Sequence, residues 1–242
     1  MSPPLAPPGP EDVHVWQVRL DVEGDELQAL AAALSADERE RARRFVRPRD
    51  ASRSAAARGH LRRLLGRYLD CPAAELALGT ASHGKPYVST PGAGWLRFSL
   101  SHSGERGLVA VANGREVGVD IERIQPELAG PGLARLFTLA EQRALTGVAG
   151  EDYVRMCFEL WTRKEAVVKG LGIGLSVPLN GIEVLGERAK LSPDVAQILP
   201  RGLSLDWAVC SVGPMTSNSA ACAVEGLDPP SLKIRHLMGP LS

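Results

Sequence analysis

Val117-Gly118-Val119-Asp120-Ile121-Glu122 is the most informative stretch of this 242-residue chain. Its apolar residues alternate with a glycine and two acidic residues, which is the period of a half-buried β-strand. Asp120 and Glu122 therefore lie on one face, roughly 7 Å apart along the strand. Two carboxylates this close repel each other unless a cation or a proton lies between them. A cation site is one explanation, although a solvated acidic face is the simpler interpretation of a lone Asp-x-Glu.

A second segment about forty residues later runs from Trp161 to Lys169 with the sequence WTRKEAVVK. Trp161, Glu165 and Lys169 are four residues apart, so a helix places them on one face. Alone, this spacing is better explained as an ordinary helix-stabilising Glu–Lys pair worth about 0.3–0.5 kcal/mol. A third segment, Phe98 to Gly104, ends an apolar strand in small polar residues that can meet an anion. The combination indicates phosphoryl-group chemistry with a hard divalent cation.

Composition limits the possible classes of protein. A chain of this length with 44% hydrophobic residues buries one large core or two small ones. No apolar run approaches the ~20 residues of a membrane span. Residues 1–12 are proline-rich and lack the regions of a signal peptide, so a disordered leader is expected. Four cysteines without metal-binding or disulfide spacing favour a reduced, cytoplasmic protein.

The charge is balanced overall but unevenly distributed. Between Ser35 and Asp70 there are eleven arginines and five acidic residues. This stretch is compatible with a solvated helix face, a nucleic-acid footprint, or a docking surface for small anions or an acidic protein. No recognition motif or aromatic platform accompanies the arginines, and the sequence pI is near 7, so nucleic-acid binding is not expected.

Local signals give an outline of the elements. Ser35 and Glu38 form a potential capping box at the start of a helix. Further helices are predicted over 53–69, 132–137, 139–146 and 152–170, and strands over 14–20, 95–101, 107–112, 181–185, 204–211 and 220–225. Asn113-Gly114 is a strong hairpin signal leading into the strand that carries Asp120. In both halves of the chain a helix precedes two apolar strands, which is a faint internal symmetry.

Four blocks resemble the signature of the 4′-phosphopantetheinyl transferases, specifically the long, monomeric, Sfp-type branch. They are Gly84-Lys85-Pro86, Phe98–Ser103, Gly118–Glu122 and Trp161–Lys169. The resemblance implies an α+β fold of two similar halves related by a pseudo-twofold axis. Each half would have a small, mainly antiparallel sheet packed by helices, with the coenzyme in the cleft between the halves. The expected division is 1–12 leader, 13–115 N-terminal half, 116–226 C-terminal half and 227–242 tail.

Matched positions in this family imply roles for individual residues. The metal ligands would be Asp120, Glu122 and Glu165, holding Mg²⁺ or, as a substitute, Mn²⁺. Glu141, or a water molecule held near Glu165, would take the serine proton, and Lys169 would neutralise the pyrophosphate of coenzyme A. The remaining coenzyme contacts would come from the basic and hydroxyl residues Arg41, Arg44, Arg53, Lys85, Ser101, His102 and Lys164. At the position of Ser99, relatives often have an Asn instead.

The implied reaction moves the phosphopantetheine arm of coenzyme A, the substrate, onto a serine of an acidic acyl or peptidyl carrier protein. Fatty-acid, polyketide and nonribosomal-peptide carriers all present such a serine, so the sequence does not identify the partner. Mg²⁺ would bridge the pyrophosphate and the carboxylates. Two alternatives remain: a Mg²⁺-dependent nucleotide phosphohydrolase, and a non-catalytic module that binds coenzyme A or a carrier protein.

Overall fold

A computed structural model describes residues 3–174, 177–199, 202–213 and 215–226, and the backbone of 233–238. The first half of the chain contains three helices and five strands. These are β1 (Asp12–Arg19), α1 (Gly24–Ala32), α2 (Ala36–Arg43), α3 (Pro48–Leu69), β2 (Leu78–Thr80), β3 (Pro86–Val88), β4 (Leu96–Ser103) and β5 (Arg106–Asn113). Strands β2 and β3 form a separate two-stranded sheet, whereas β1, β5 and β4 are neighbours in a larger one.

The second half contains a five-stranded antiparallel sheet in the order β6-β10-β9-β8-β7. Its elements are β6 (Val117–Arg123), α4 (Pro131–Ala134), α5 (Leu139–Leu145), α6 (Gly150–Leu171), β7 (Ile182–Glu183), β8 (Arg188–Leu191), α7 (Pro193–Ile198), β9 (Trp207–Ser211) and β10 (Asn218–Glu225). A final strand, β11 (Lys233–Met238), pairs in parallel with β1 and gives the first sheet the order β11-β1-β5-β4.

The order of elements repeats between the halves. In each half a strand is followed by a long helix of 22 residues and then by two antiparallel strands. In both sheets, the strand that comes last in sequence among these three lies between the other two in space, as β1-β5-β4 and β6-β10-β9. The predicted α+β class with mainly antiparallel sheets is confirmed. Strand β11 lies within the expected tail, 227–242, yet joins the sheet of the first half.

Three apolar clusters form the core. One packs α3 against β1, β4 and β5, and a second packs α6 against the sheet of the second half. The third contains side chains of β1 and β5 together with those of β6, β9 and β10. Each sheet therefore has one face on its own long helix and the other face in a cluster that both halves share. No helix among the described residues is long and apolar enough to cross a membrane.

The helix ends agree with their sequence signals. The capping box of Ser35 and Glu38 is present at the start of α2, as predicted. Helix α6 ends where Gly172 adopts a left-handed conformation, with φ of 70°, which a glycine reaches without steric cost. The resemblance to the family also included Leu175 and Ser176, which lie outside the described residues.

Two expectations about the chain's course are corrected. Asn113-Gly114 is not a hairpin turn, because β5 pairs with β1 and β4 while β6 pairs with β10, so this dipeptide connects two different sheets. Residues 3–11 also make specific contacts rather than forming a free leader. The Leu5 amide donates to the Arg67 carbonyl over 2.9 Å, and the Asn113 side chain donates to the Pro8 carbonyl over 3.2 Å.

Candidate active site

A cleft of about 510 Å³ lies between the first half of the chain and α6. Its walls come from α2 and α3, from the Gly84-Lys85-Pro86 loop, from β4, and from the C-terminal part of α6. Among the lining residues, those with charged or titratable side chains are Arg41, Arg58, His83, Lys85, His102, Glu165 and Lys169. Basic groups outnumber the single carboxylate, so the cleft suits an anionic ligand.

Strand β6 lies unusually close to α6, and this closeness brings the two signature segments together. A Cβ atom on Gly118 would overlap the Ala166 carbonyl of α6, so only glycine permits the contact. Two residues later, Asp120 faces α6 and is 2% exposed. Its Oδ1 accepts from Lys169 Nζ over 2.6 Å and from Ser101 Oγ over 2.8 Å. The predicted shared face of Glu165 and Lys169 is present, since both are half-buried whereas the residues between them are buried.

Glu122 and Glu165 complete a group of three neighbouring carboxylates. Burial raises the pKa of both side chains above the usual range, and the negative charge of Asp120 raises each pKa further. Ser103 Oγ donates to Glu122 Oε2 over 2.9 Å. Mutual repulsion of this kind is relieved when a cation is added. The donor set is therefore the one expected for a hard divalent ion, with carboxylate oxygens only.

One buried atom supports a cation at this position. Asp120 Oδ2 is buried and has no hydrogen-bond partner among the described residues. An unpaired buried carboxylate oxygen is costly, and a metal ion would satisfy it. Within the part of the chain that the structure describes, no group of three or more His, Cys, Asp or Glu side chains is spaced as a complete metal site. Lys169 instead neutralises Asp120 through its other oxygen.

Arg58 is a cleft residue that the sequence did not single out. It lines the cleft from α3, and it makes no hydrogen bond or ion pair with any described residue. Burial lowers the pKa of its guanidinium, and the nearby charge of Glu38 partly opposes this shift. Arg58 is therefore a partly desolvated cation with no direct ion-pair partner among the described residues. In the sequence, Arg58 is one of eleven arginines between Ser35 and Asp70, and no local pattern separates it from the others. Only the fold shows that it faces the cleft.

His102 lies in the same cationic environment. His102 keeps an exposed edge, but the surrounding protein partly desolvates its imidazole and lowers its pKa, and the charges of Lys169, Arg58 and Arg53 lower it further. His102, Lys169 and Arg58 all line the same cleft. Ser101, the neighbour of His102, faces the opposite way. Its hydroxyl contacts Asp120, Lys169 and the Ile121 amide, so it lies between β4 and β6 rather than in the cleft wall.

The other predicted coenzyme contacts are differently placed. Arg53 donates to both oxygens of Asp21, and Arg44 is exposed at the surface near Glu40. Lys85 lines the cleft, but its ammonium group donates to the Gly170 carbonyl at the end of α6 and pairs with Glu116 over 2.5 Å. Of the expected phosphate ligands from the first half, Arg41 and His102 line the cleft without such a partner among the described residues.

Glu141 and Lys164 form a buried ion pair in the second half. Their side chains have no exposed surface and lie 2.7 Å apart. Glu141 also accepts from the amides of Thr138 and Val184, while Lys164 donates to the carbonyls of Leu179 and Ile182. Neither residue lines the cleft. The expectation of a general base at Glu141 and a phosphate ligand at Lys164 is therefore corrected, because all their polar contacts join α5 and α6 to the chain around β7.

Comparison with known proteins shows the family of this chain. Residues 21–114 match the model of the 4′-phosphopantetheinyl transferase N-terminal family, and residues 116–225 match that of the 4′-phosphopantetheinyl transferase superfamily. The chain is 35% identical to the 4′-phosphopantetheinyl transferase HetI of Nostoc sp., over 89% of each chain. It is 31% identical to a 4′-phosphopantetheinyl transferase of Bacillus subtilis, over 78% of this chain and 83% of that protein.

A solved structure described as an ACPS–CoA complex from Chronobacterium ammoniagenes aligns with 46% of this chain and 96% of its own chain. Its sequence identity to this chain is 22% and the TM-score is 0.36. The sequence relatives carry the assignment, since one of them is more than 30% identical over nine-tenths of both chains. The protein belongs to the 4′-phosphopantetheinyl transferase family.

Proposed function

We propose that this protein transfers the 4′-phosphopantetheine arm of coenzyme A to a serine hydroxyl of a carrier protein, in a reaction that requires Mg²⁺. The observation that carries the proposal is the position of Asp120. Its unpaired buried oxygen and its contact with Lys169 lie beside a cationic cleft. A site for a divalent ion next to a site for phosphates is the arrangement that phosphoryl transfer needs.

The cleft supplies the contacts for coenzyme A. Arg58, Arg41 and His102 lie on the side formed by the first half, and they would bind the phosphate on the ribose of the nucleotide. Lys169 lies on α6 and would neutralise the pyrophosphate. Arg58 is half-buried, and a partly desolvated arginine favours a phosphate because the anion replaces hydration that burial removed.

Asp120, Glu122 and Glu165 would hold the metal ion. When bound, Mg²⁺ would draw negative charge from the pyrophosphate oxygens and so stabilise the leaving group. The protein's own residues set the conditions for this. Lys169 and Ser101 fix the Asp120 carboxylate, Ser103 fixes that of Glu122, and the contact at Gly118 sets the distance between β6 and α6.

The reaction forms a bond between the serine oxygen and the phosphorus that bears the pantetheine arm. The bond from this phosphorus to the bridging oxygen of the pyrophosphate breaks, and adenosine 3′,5′-bisphosphate leaves. Because Glu141 is enclosed in the core, the serine proton must go elsewhere, and a water molecule beside Glu165 would accept it. Lys169 adds fixed positive charge near the leaving group.

The surface beside the cleft suits an acidic partner. The turn between α2 and α3 exposes Phe45 and Val46, and the arginines around it are Arg41, Arg43, Arg44, Arg47 and Arg49. An apolar tip within a basic surface fits a carrier protein that presents its serine on an acidic helix. We further propose that the protein acts as a cytoplasmic monomer, with Mn²⁺ able to replace Mg²⁺.

Intact-protein mass spectrometry tests this function. A panel of apo-carrier proteins from fatty-acid, polyketide and nonribosomal-peptide systems is incubated with the protein, coenzyme A and Mg²⁺. A gain of one phosphopantetheine mass is expected with at least one carrier, and EDTA should prevent it. The Asp120→Asn variant should lower the rate by at least about 100-fold, the order of loss typical for a key charge-stabilising group.

The alternatives give different results in the same experiment. Loss of coenzyme A with all carriers unmodified would instead identify a phosphohydrolase. Intact coenzyme A together with unmodified carriers would support a binding module. Undiminished modification in EDTA would contradict the metal requirement while leaving the transfer itself established.

A further inference from the structure

The two sheets of the molecule meet along a seam that is built from serine side chains. Strand β6 is an edge strand of its sheet, and β10 is its only neighbour there among the described strands. The amides of Val119, Ile121 and Arg123 donate instead to three serines of β4, at distances of 3.0–3.3 Å. These serines, Ser99, Ser101 and Ser103, are called the serine seam below. The serine seam supplies hydrogen-bond acceptors for amides of β6 that would otherwise lack a partner at the edge of the sheet.

The three serines differ in what their own hydroxyl protons do. Ser101 donates to Asp120 Oδ1 over 2.8 Å, and Ser103 donates to Glu122 Oε2 over 2.9 Å. Ser99 accepts from the Val119 amide but donates to neither carboxylate. The seam therefore contains two serines that join a backbone amide to a site carboxylate, and one serine that makes the backbone contact alone.

Glu122 depends on this contact more than Asp120 does. Asp120 is held by both Ser101 and Lys169. Among the described residues, Ser103 is the only hydrogen-bond partner of the Glu122 carboxylate. A glutamate has three rotatable side-chain bonds and loses considerable entropy when it is fixed. Because the Arg123 amide fixes the Ser103 oxygen, the remaining hydroxyl proton has a defined direction toward Glu122.

We propose that Ser103 is a positioning residue that fixes the Glu122 carboxylate in the orientation needed for metal binding. This inference rests on the proposed function, since it assumes that Glu122 is a metal ligand. Ser103 itself touches neither the coenzyme nor the reacting atoms in this account. Its effect on the reaction is exerted through Glu122, in the way that residues around a metal site orient the ligands.

Metal affinity distinguishes this role from simple support of the strand. Mn²⁺ is titrated calorimetrically into the protein saturated with coenzyme A, for wild type and for Ser103→Ala, Ser103→Thr and Ser99→Ala. Loss of a residue that orients a metal ligand typically weakens binding about 10–100-fold. Ser103→Ala is expected to weaken Mn²⁺ binding by about 10-fold or more. Ser103→Thr keeps the hydroxyl and should retain near-normal affinity.

Ser99→Ala is the matched control, because it removes the same kind of amide contact from the same strand. Both alanine variants should lower the unfolding midpoint to a similar extent, but only Ser103→Ala should weaken Mn²⁺ binding. Equal Mn²⁺ affinities for the two alanine variants would overturn the role of Ser103 while the metal site stands. Wild-type protein that binds no Mn²⁺ would overturn the metal assignment itself, and the role of Ser103 with it.

Discussion

At the level of single residues, the partners of each cation decide its role. Helix α3 carries Arg53, Arg58 and Arg62, which have different surroundings. Arg62 is buried against Glu38 and two backbone carbonyls, and Arg53 is bound to Asp21. Arg58 faces the cleft without a partner among the described residues. The first two arginines therefore support the structure, whereas Arg58 remains available to a ligand.

Arg58→Ala should weaken coenzyme A binding. A hydrogen bond to a charged group contributes about 1.5–3 kcal/mol, so the dissociation constant should rise by about 10–100-fold. Calorimetric titration with coenzyme A measures this change. The loss should be smaller with dephospho-coenzyme A, which lacks the phosphate on the ribose. Arg63→Ala, on the same helix but outside the cleft lining, is the control, and equal effects of the two variants would contradict the assignment.

The buried pair of Glu141 and Lys164 should contribute to the free energy of unfolding. Removal of one member of a buried pair typically costs about 3–5 kcal/mol, because the other charge is left unpaired, whereas an apolar replacement of both is often neutral. We expect Glu141→Leu and Lys164→Met each to lower the free energy of unfolding strongly. The double variant should recover only the part caused by the unpaired charge, because the backbone groups that bond this pair stay unpaired. Urea unfolding provides the measurement.

Activity of the same double variant separates a structural role from a chemical one. If the pair only joins α5 and α6 to the chain around β7, the stable double variant should transfer phosphopantetheine at close to the normal rate. A double variant with native stability but no activity would restore Glu141 as a candidate general base.

At the level of elements, the contact between β6 and α6 sets the geometry of the site. Gly118→Ala should be severely destabilising, because the added methyl group meets backbone atoms of α6 that cannot move independently. Overpacking costs typically about 1–3 kcal/mol, and a backbone clash lies at or above the upper end. The thermal unfolding midpoint measures the effect. Gly132→Ala, which has open space around its Cβ position, should leave the midpoint nearly unchanged, and a similar midpoint for both variants would refute the argument.

Elements with a strong local period could be predicted, and contacts between distant segments could not. Helix α6 was expected over 152–170 and spans Gly150–Leu171, because its apolar stripe repeats with the helical period. The alternation in β6 correctly placed Asp120 and Glu122 toward one face. Its partner β10 lies about a hundred residues later in the chain, and nothing local in either strand specifies that pairing.

The errors in the site have a similar cause. The resemblance to the family implies a phosphate contact for both Lys164 and Lys169, yet positions five residues apart on a helix point to different faces. The spacing of Lys164 from Leu160, Val168 and Leu171, all buried, indicates the apolar face and could have identified it as a core residue. The Asn113-Gly114 signal describes a tight reversal correctly but not which strands it joins. Ser99, Ser101 and Ser103 alternate along the sequence and so indicate one face of β4, but nothing local shows what that face contacts. The serine seam is therefore recognised only in the folded chain.

At the level of the whole molecule, acid should weaken the fold through a buried histidine. His60 joins α3 to β1 through the Arg19 carbonyl, 3.0 Å from its Nε2. Burial lowers the pKa of His60 below its usual 6.5, while the nearby charges of Glu26, Arg63 and Arg19 act in opposing directions. The unfolded chain therefore binds a proton at a pH where the folded chain does not. This difference contributes to the free energy of unfolding. The contribution is complete above the pKa of His60 in the unfolded chain, and it is lost as the pH falls toward the lower pKa of His60 in the folded chain.

Urea unfolding between about pH 7 and about pH 5 should show this decline. His60→Gln retains a side-chain donor for the Arg19 carbonyl but does not titrate, so its free energy of unfolding should depend less steeply on pH. His83→Gln is the control, because His83 is exposed and bonded only to its neighbour Ser82. A decline as steep in His60→Gln as in wild type would assign the pH dependence to other groups.

The two halves of the molecule cooperate in one site. The first half provides most of the cationic wall of the cleft, the second half provides the carboxylates and Lys169, and the shared apolar cluster and the serine seam hold them together. The proposed phosphate site and the proposed metal site lie on different halves. The transfer that we propose would therefore need both halves of the chain.

The most direct test of this account is the stoichiometry of the reaction. Holo-carrier protein and adenosine 3′,5′-bisphosphate are quantified together by liquid chromatography and mass spectrometry, with Mg²⁺ and with EDTA. One adenosine 3′,5′-bisphosphate is expected for each phosphopantetheine that is attached. The bisphosphate should form only with the metal and only when a carrier serine is present. Bisphosphate released in excess of holo-carrier, or formed when that serine is replaced by alanine, would contradict transfer and indicate hydrolysis of coenzyme A.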